Sequence, residues 1–161
     1  MKTEKENGPG PTVDRHILIA LDESENAKRA LLYAADFLGG SAGFRATILN
    51  VVPVPPDDFF ASEKDRDKWI GEQSSKSGDM LERYREVLLQ SGFSGDKVAT
   101  RVEVARGRSV AECVLEVQRE LKCCTVIVGR RGISKREEFI YGSTSNKVLH
   151  SGKNCAVWVI E

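Results

Sequence analysis

Gly129, Gly132 and the pair Gly142-Ser143 fall in the register Gly, two residues, Gly, nine residues, Gly-Ser. A glycine has no Cβ to hold a phosphate oxygen away from the backbone, so glycines in a loop let N–H groups converge on an anion. The last pair opens onto Ser143-Thr144-Ser145, and a helix beginning there would add unpaired N–H groups, a partial positive charge and three hydroxyls. Together these suit a polyphosphate. The loop between carries Arg130, Arg131, Lys135 and Arg136 against Glu137 and Glu138, a local basic surplus. Hydroxyls beside a bound γ-phosphate would also make residues 143–145 candidates for autophosphorylation, a reading that rests on adjacency alone. Phosphoryl transfer further needs a residue that orients water or accepts a hydroxyl proton, and none stands out. His16 and His150 sit at a strand start and a helix end, in no pattern with a Ser or Cys nucleophile. There is no G-x-x-x-x-G-K-[ST] loop, and no G-x-G-x-x-G after the first strand. Binding is therefore expected ahead of catalysis.

The elements that must position this loop are legible as apolar runs. Residues 16–21 (HILIAL), 46–52 (ATILNVV), 125–128 (TVIV) and 156–160 (AVWVI) are unbroken rather than alternating, the habit of parallel strands covered on both faces. Residues 98–104 alternate, with Val98, Thr100, Val102 and Val104 on one side, and predict an edge strand with one wet face. Helical stripes lie between them. One opens at Ser24 or Glu25, runs through Ala27, Ala30, Leu31, Ala34, Ala35 and Leu38, and stops at Gly39-Gly40. A second spans 63–90 through Trp69, Gln73, Met80, Leu81, Tyr84, Val87 and Leu88, weakened in the middle by Gly78. Ser109 caps a third, carrying Val110, Cys113, Val114, Val117 and Leu121, and Ser143 or Thr144 opens a fourth through Val148 and Leu149. The alternation βαβαβαβαβ predicts an α/β, doubly wound parallel sheet with right-handed crossovers. Ligands of such sheets bind outside the strands' carboxyl ends where strand order reverses, which directs attention to Asp22, to Val51-Val52-Pro53 and to the loop after Val128. Asp22 could meet a ribose hydroxyl or a phosphate-bound Mg²⁺, or cap the helix that follows. Arg106-Gly107-Arg108 reads as a solvated turn.

Composition narrows the function classes. The 161 residues hold 24 Lys plus Arg against 24 Asp plus Glu, so the net charge is zero, without the basic excess of a duplex-binding protein. With 40% hydrophobic and 30% charged residues, the chain reads as one soluble domain over residues 15–161. No apolar run approaches the ~20 residues of a membrane span. Residues 1–14, with Gly8, Pro9, Gly10 and Pro11, read as a flexible tail lacking the apolar stretch of a secretory signal. The four cysteines include no C-x-x-C and no Cys/His cluster, and read as reduced, mostly buried thiols of a cytoplasmic protein.

The Gly129-x-x-Gly132 and Gly142-Ser143 spacing, the opening ILIALD strand ending at Asp22, the Asn50-Val51-Val52 end of the second strand and the closing VWVI strand resemble the ATP-binding branch of the universal stress protein family. The resemblance covers about residues 15–161. It implies a five-stranded parallel sheet of order 3-2-1-4-5 and a homodimer. It also implies ATP held by Asp22, Val51, Val128, Gly129, Arg131, Gly132, Gly142, Ser143 and Ser145; Ala20 and Thr144 join the expected binding set, and Mg²⁺ could bridge the phosphates. In that picture Asp22 and the backbone at Val51 hold the nucleoside end. Two departures stand out: Ala156 where the family commonly has Pro, and a more basic Arg130-Arg131.

The last run, Ala156–Ile160, should form a sheet edge, yet it has no Lys or Pro to discourage pairing. Pairing with its own copy across a two-fold axis would cover it. Three functions remain: a nucleotide-binding regulatory or stress-response protein, a slow ATPase or autophosphorylating phosphotransferase, and a dimeric interaction module that binds no nucleotide. The complete glycine spacing favours the first two, and the lack of a general base favours the first.

Overall fold

Residues 14–130 and 143–161 are described by the computed structural model. The proposed tail up to residue 13, and Arg131, Gly132 and Gly142 of the glycine loop, lie outside them. The apolar runs form five strands, β1 (Arg15–Ala20), β2 (Phe44–Pro53), β3 (Val98–Ala105), β4 (Thr125–Gly129) and β5 (Ala156–Ile160). All neighbours pair parallel in the order β3-β2-β1-β4-β5, the order expected. The helices α1 (Glu25–Leu38), α2 (Glu63–Gln90), α3 (Val110–Glu120) and α4 (Ser143–Ser151) alternate with the strands.

The unbroken apolar runs are explained by two cores, one on each face of the sheet. Ile17, Ile19, Ile48 and Ile127 pack under α1 and α2. Leu18, Leu49, Val126 and Val128 pack under α3 and α4. The chain reverses at β1, which pairs β2 on one side and β4 on the other. β3 and β5 are the two edges. On β3, Arg101 pairs with Glu103 and Glu120, which accounts for its wetter face.

Ser24 is the N-cap of α1, its Oγ accepting from the Ala27 N–H at 3.1 Å. α1 ends at Gly39, where a Cβ would stand 2.3 Å from the Ser91 carbonyl oxygen after α2, so only glycine allows the two helix ends to meet. The weakness expected at Gly78 does not materialise: α2 is one helix of 28 residues, and Gly71 and Gly78 both face open space. A central glycine lowers helix propensity by about 1 kcal/mol against alanine, which the burial of Met80, Leu81 and Leu88 outweighs. The cysteines are less buried than expected, with Cys113 and Cys123 buried, Cys155 half-buried and Cys124 exposed. Burial pushes the Cys123 thiol up to about 11.

α3 carries a reciprocal capping box between Ser109 and Glu112, and Lys147 of α4 reaches both, 3.2 Å from Ser109 Oγ and 2.9 Å from Glu112 Oε1. This network ties the first turn of α3 to α4. The Lys147 ammonium first, and the Ser109 N–H and hydroxyl next, lower the Glu112 carboxyl from 4.5 to about 2. A carboxyl depressed in the folded state contributes fully above its unfolded value and loses that contribution as pH falls towards the folded one. Urea midpoints of the wild type and Glu112→Gln should therefore differ most above pH 4.5 and converge as pH approaches about 2. A gap independent of pH would contradict the tie.

Candidate functional site

A cleft of about 640 Å³ opens at the carboxyl ends of β1, β2 and β4, where the strand order reverses. Its lining brings together Ala20, Asp22, Val51, Val128, Gly129, Ser143, Thr144 and Ser145 from the sequence reading. Arg131, Gly132 and Gly142 lie outside the described residues.

The floor is built by hydrogen bonds among strand ends. The Leu21 N–H donates to the Leu49 carbonyl at 2.8 Å, carrying β1 alongside β2 one residue past its end. Buried Asn50 then bridges three elements: its Nδ2 donates to the Leu21 carbonyl at 2.7 Å, and its Oδ1 accepts from Ser77 Oγ of α2 at 2.7 Å. Tyr84, further along α2, donates to the Asp22 carbonyl at 3.3 Å, and burial raises its phenol above the ordinary value. These bonds explain why the polar Asn50 interrupts an otherwise apolar strand: it fixes the turn on which Asp22 sits. Sequence reading quoted Asn50 only as part of a strand end.

Asp22 lines the cleft and also shapes the chain. Its Oδ1 accepts from the Ser24 N–H at 2.9 Å, which turns the backbone into the cap of α1. The cap itself is Ser24, and Asp22 orients it.

Gly129 has a demand on it that spacing did not reveal. A Cβ there would stand 2.8 Å from the Asn26 carbonyl carbon, 2.9 Å from the Ala27 nitrogen and 2.9 Å from the Asn26 oxygen. The first turn of α1 therefore packs directly on the end of β4, backbone against backbone. The loop leaves this point with Arg130, whose N–H donates to the Ile160 carbonyl at 2.6 Å and whose carbonyl accepts from Ser145 Oγ at 2.8 Å. Ser145 is buried, so its hydroxyl fastens the start of the loop to the first turn of α4. The Arg130 guanidinium pairs with Glu161 and is not part of the cleft wall, so the local basic surplus read from the sequence is smaller there by one charge.

One wall was not anticipated. Trp69, Gln73, Lys76, Ser77 and Met80 of α2 also line the cleft. Trp69, Gln73 and Met80 were legible as part of a helix stripe, but such a stripe reads as core when nothing shows that the helix overhangs a cavity. Ala27 and Met80 come to the cleft from one core, and Val110 and Val114 from the α3 side. Among the described residues no group of three or more His, Cys, Asp or Glu is placed to hold a metal, and no helix is long and apolar enough to cross a membrane.

Solved structures share this fold. The universal stress protein UspA from Lactobacillus plantarum superposes with a TM-score of 0.76 at 16% identity, over 92% of this chain and 99% of that one. A universal stress protein from Archaeoglobus fulgidus in complex with dAMP gives 0.60 at 18% identity, over 93% and 99%. A universal stress protein in complex with cAMP gives 0.63 at 16% identity, over 91% and 97%. No curated protein matches the sequence. At these identities the likeness establishes the fold. The sequence profile described as "Universal stress protein family" matches residues 15–161, all the chain beyond the first 14 residues, and the protein belongs to that family.

Proposed function

We propose that the protein binds an adenine nucleotide, ATP foremost, and acts as a nucleotide-dependent regulatory or stress-response module. The observation that carries the reading is the cleft itself: about 640 Å³ at the strand reversal, within the range of roughly 300–1,000 Å³ usual for small-ligand sites. Val51 with Asp22 would suit the nucleoside end, and the first turn of α4 at Ser143 and Thr144 the phosphates. Relatives of the same fold in complex with dAMP and cAMP add weight to an adenine ligand. Gly132 and Gly142, on the strength of the sequence spacing, and Arg131, on the family resemblance, would complete the phosphate side. Mg²⁺ would be held chiefly by the phosphates. The Ser145 hydroxyl, engaged with Arg130, would serve by holding the loop.

The test is direct. Purified protein is denatured and the released small molecules are identified by mass spectrometry. Adenine nucleotide from the wild type and not from Gly132→Val supports the reading; none from either, with no ATP bound on titration, would leave the nucleotide-free interaction module.

We further propose a homodimer paired through β5, in a cytoplasmic setting that suits four free thiols. An apolar edge strand is one support. A second is the exposed aromatic surface beside it, where Tyr33 stacks on Phe37 at 5.8 Å and both meet Trp158 of β5 edge-on at 6.2 and 5.6 Å. Phe37 is 61% exposed in the single chain, which an interface would cover. Sedimentation at micromolar concentration should give the dimer mass; a monomer would refute it.

A further inference from the structure

The α2 wall does more than close off space. At about 1.5 Å per residue its 28 residues span about 42 Å, whereas β2, with 10 residues at about 3.3 Å, spans about 33 Å. The helix returns alongside the sheet to deliver the chain to β3, whose first residue Val98 pairs with Ala46 near the start of β2. Its surplus length therefore projects beyond the carboxyl edge of the sheet, over the cleft. Among residues 63–79 only Ile70 is buried, so this half is held by little except the groups that face it.

Trp69 lies in that overhang, one residue beyond two helical turns from Ser77 and eleven before Met80, on the face that also carries Gln73 and Lys76. It is shared by two hollows. On one side it lines the cleft; on the other it lines a smaller surface hollow of about 300 Å³ with Phe59 and Phe60. Phe60 meets the indole at 5.7 Å and 62°, and Phe59 meets Phe60 at 5.1 Å and 83°. Phe59 remains 66% exposed. The indole is thus backed from outside by a ring and bounded inside by the cleft, where Val51, Val52 and Pro53 form the β2 end of the lining. An aromatic plate, an apolar strand end and the Gln73 amide make a slot suited to a flat heterocycle with polar edges.

We propose that Trp69 stacks on the nucleobase of the bound nucleotide and that the overhanging turns of α2 close over it. This rests on the nucleotide reading above and assigns the base to the α2 side of the cleft. Stacking of a base on an aromatic side chain recognises any π-face, so adenine preference would come from Gln73 and the strand-end backbone, while Trp69 supplies affinity.

The chain has two tryptophans, and Trp158 lies on the far edge strand, so Trp158→Phe leaves Trp69 as the sole indole. In that background ATP and AMP should change Trp69 emission saturably, and inorganic tripolyphosphate, which has no base, should not. By calorimetry Trp69→Ala should weaken ATP binding by about 5- to 150-fold, and Trp69→Phe should keep most of the affinity, both with the wild-type far-ultraviolet circular dichroism. ATP bound equally well by the wild type and Trp69→Ala, with Trp69 emission unmoved, overturns the stacking and leaves the nucleotide reading standing. Failure of the wild type to bind ATP or AMP overturns both.

Discussion

Leu81→Ala should lower the free energy of unfolding by about 2–5 kcal/mol, the range for deleting a fully buried leucine side chain. Leu81 is 0% exposed and belongs to the core shared by α1, α2 and the sheet. The cavity it leaves cannot collapse easily, because Ala30, Ala34 and Ala35 of α1 belong to the same packed cluster and are already short. The contrast within the same helix sharpens the test. Gly71→Ala and Gly78→Ala place a methyl in open space, and each should stabilise by about 0.5–1 kcal/mol through helix propensity and a less free unfolded chain. Urea unfolding of the three variants would decide it. A loss under 1 kcal/mol at Leu81, or a loss at both glycines, would mean that α2 is not anchored as described.

Gly129→Ala is the second large effect. The added methyl has backbone atoms at 2.8 and 2.9 Å and no flexible side chain to push aside. Either α1 shifts at its first turn or the end of β4 does, and overpacking of that kind costs about 1–3 kcal/mol. Both movements also disturb the cleft, since Ser24 and Ala27 of one element and Gly129 of the other line it. Stability and ligand affinity should therefore fall together. A variant that unfolds at the wild-type urea midpoint while losing nucleotide would show that Gly129 is needed for the phosphate alone.

Much of the architecture was legible because it follows from burial on two faces. Ile17, Leu18 and Ile19 alternate between two cores, so β1 has no polar face to show, and that unbroken run marks a central parallel strand. The cap at Ser109 was legible, and that of α1 to within one residue, because in each a hydroxyl accepts from the N–H three residues on. The continuity of α2 was not, since propensity sees Gly78 and cannot see that Met80 and Leu81 are held by tertiary packing just beyond it. In the candidate site, the strand-reversal rule and the family resemblance led to Asp22 and Val51, and motif spacing to Ser143; all three line the cleft. Sequence reading missed Asn50, whose role depends on a carbonyl 29 positions away and a hydroxyl 27 positions away. Trp69 was missed for a different reason: an aromatic on a helical stripe is ordinary core until the helix outruns the sheet beneath it. Gly129 was noticed for the loop that follows it, and its other obligation, to α1, became visible only when the two backbones were seen to touch.

The cleft is bounded by residues from both cores, Ala27 and Met80 from the α1–α2 layer and Val114 and Val128 from the α3–α4 layer. A molecule seated there would act as a rivet through the laminate, gripping a layer on each face of the sheet. Its binding energy is then withheld from opening on either side: a ligand at a hundred times its Kd would add about 2.7 kcal/mol to both layers at once. If a ligand binds there as proposed, amide exchange should record it as slowing that spreads to α3 as well as α1, a global stiffening from one small guest.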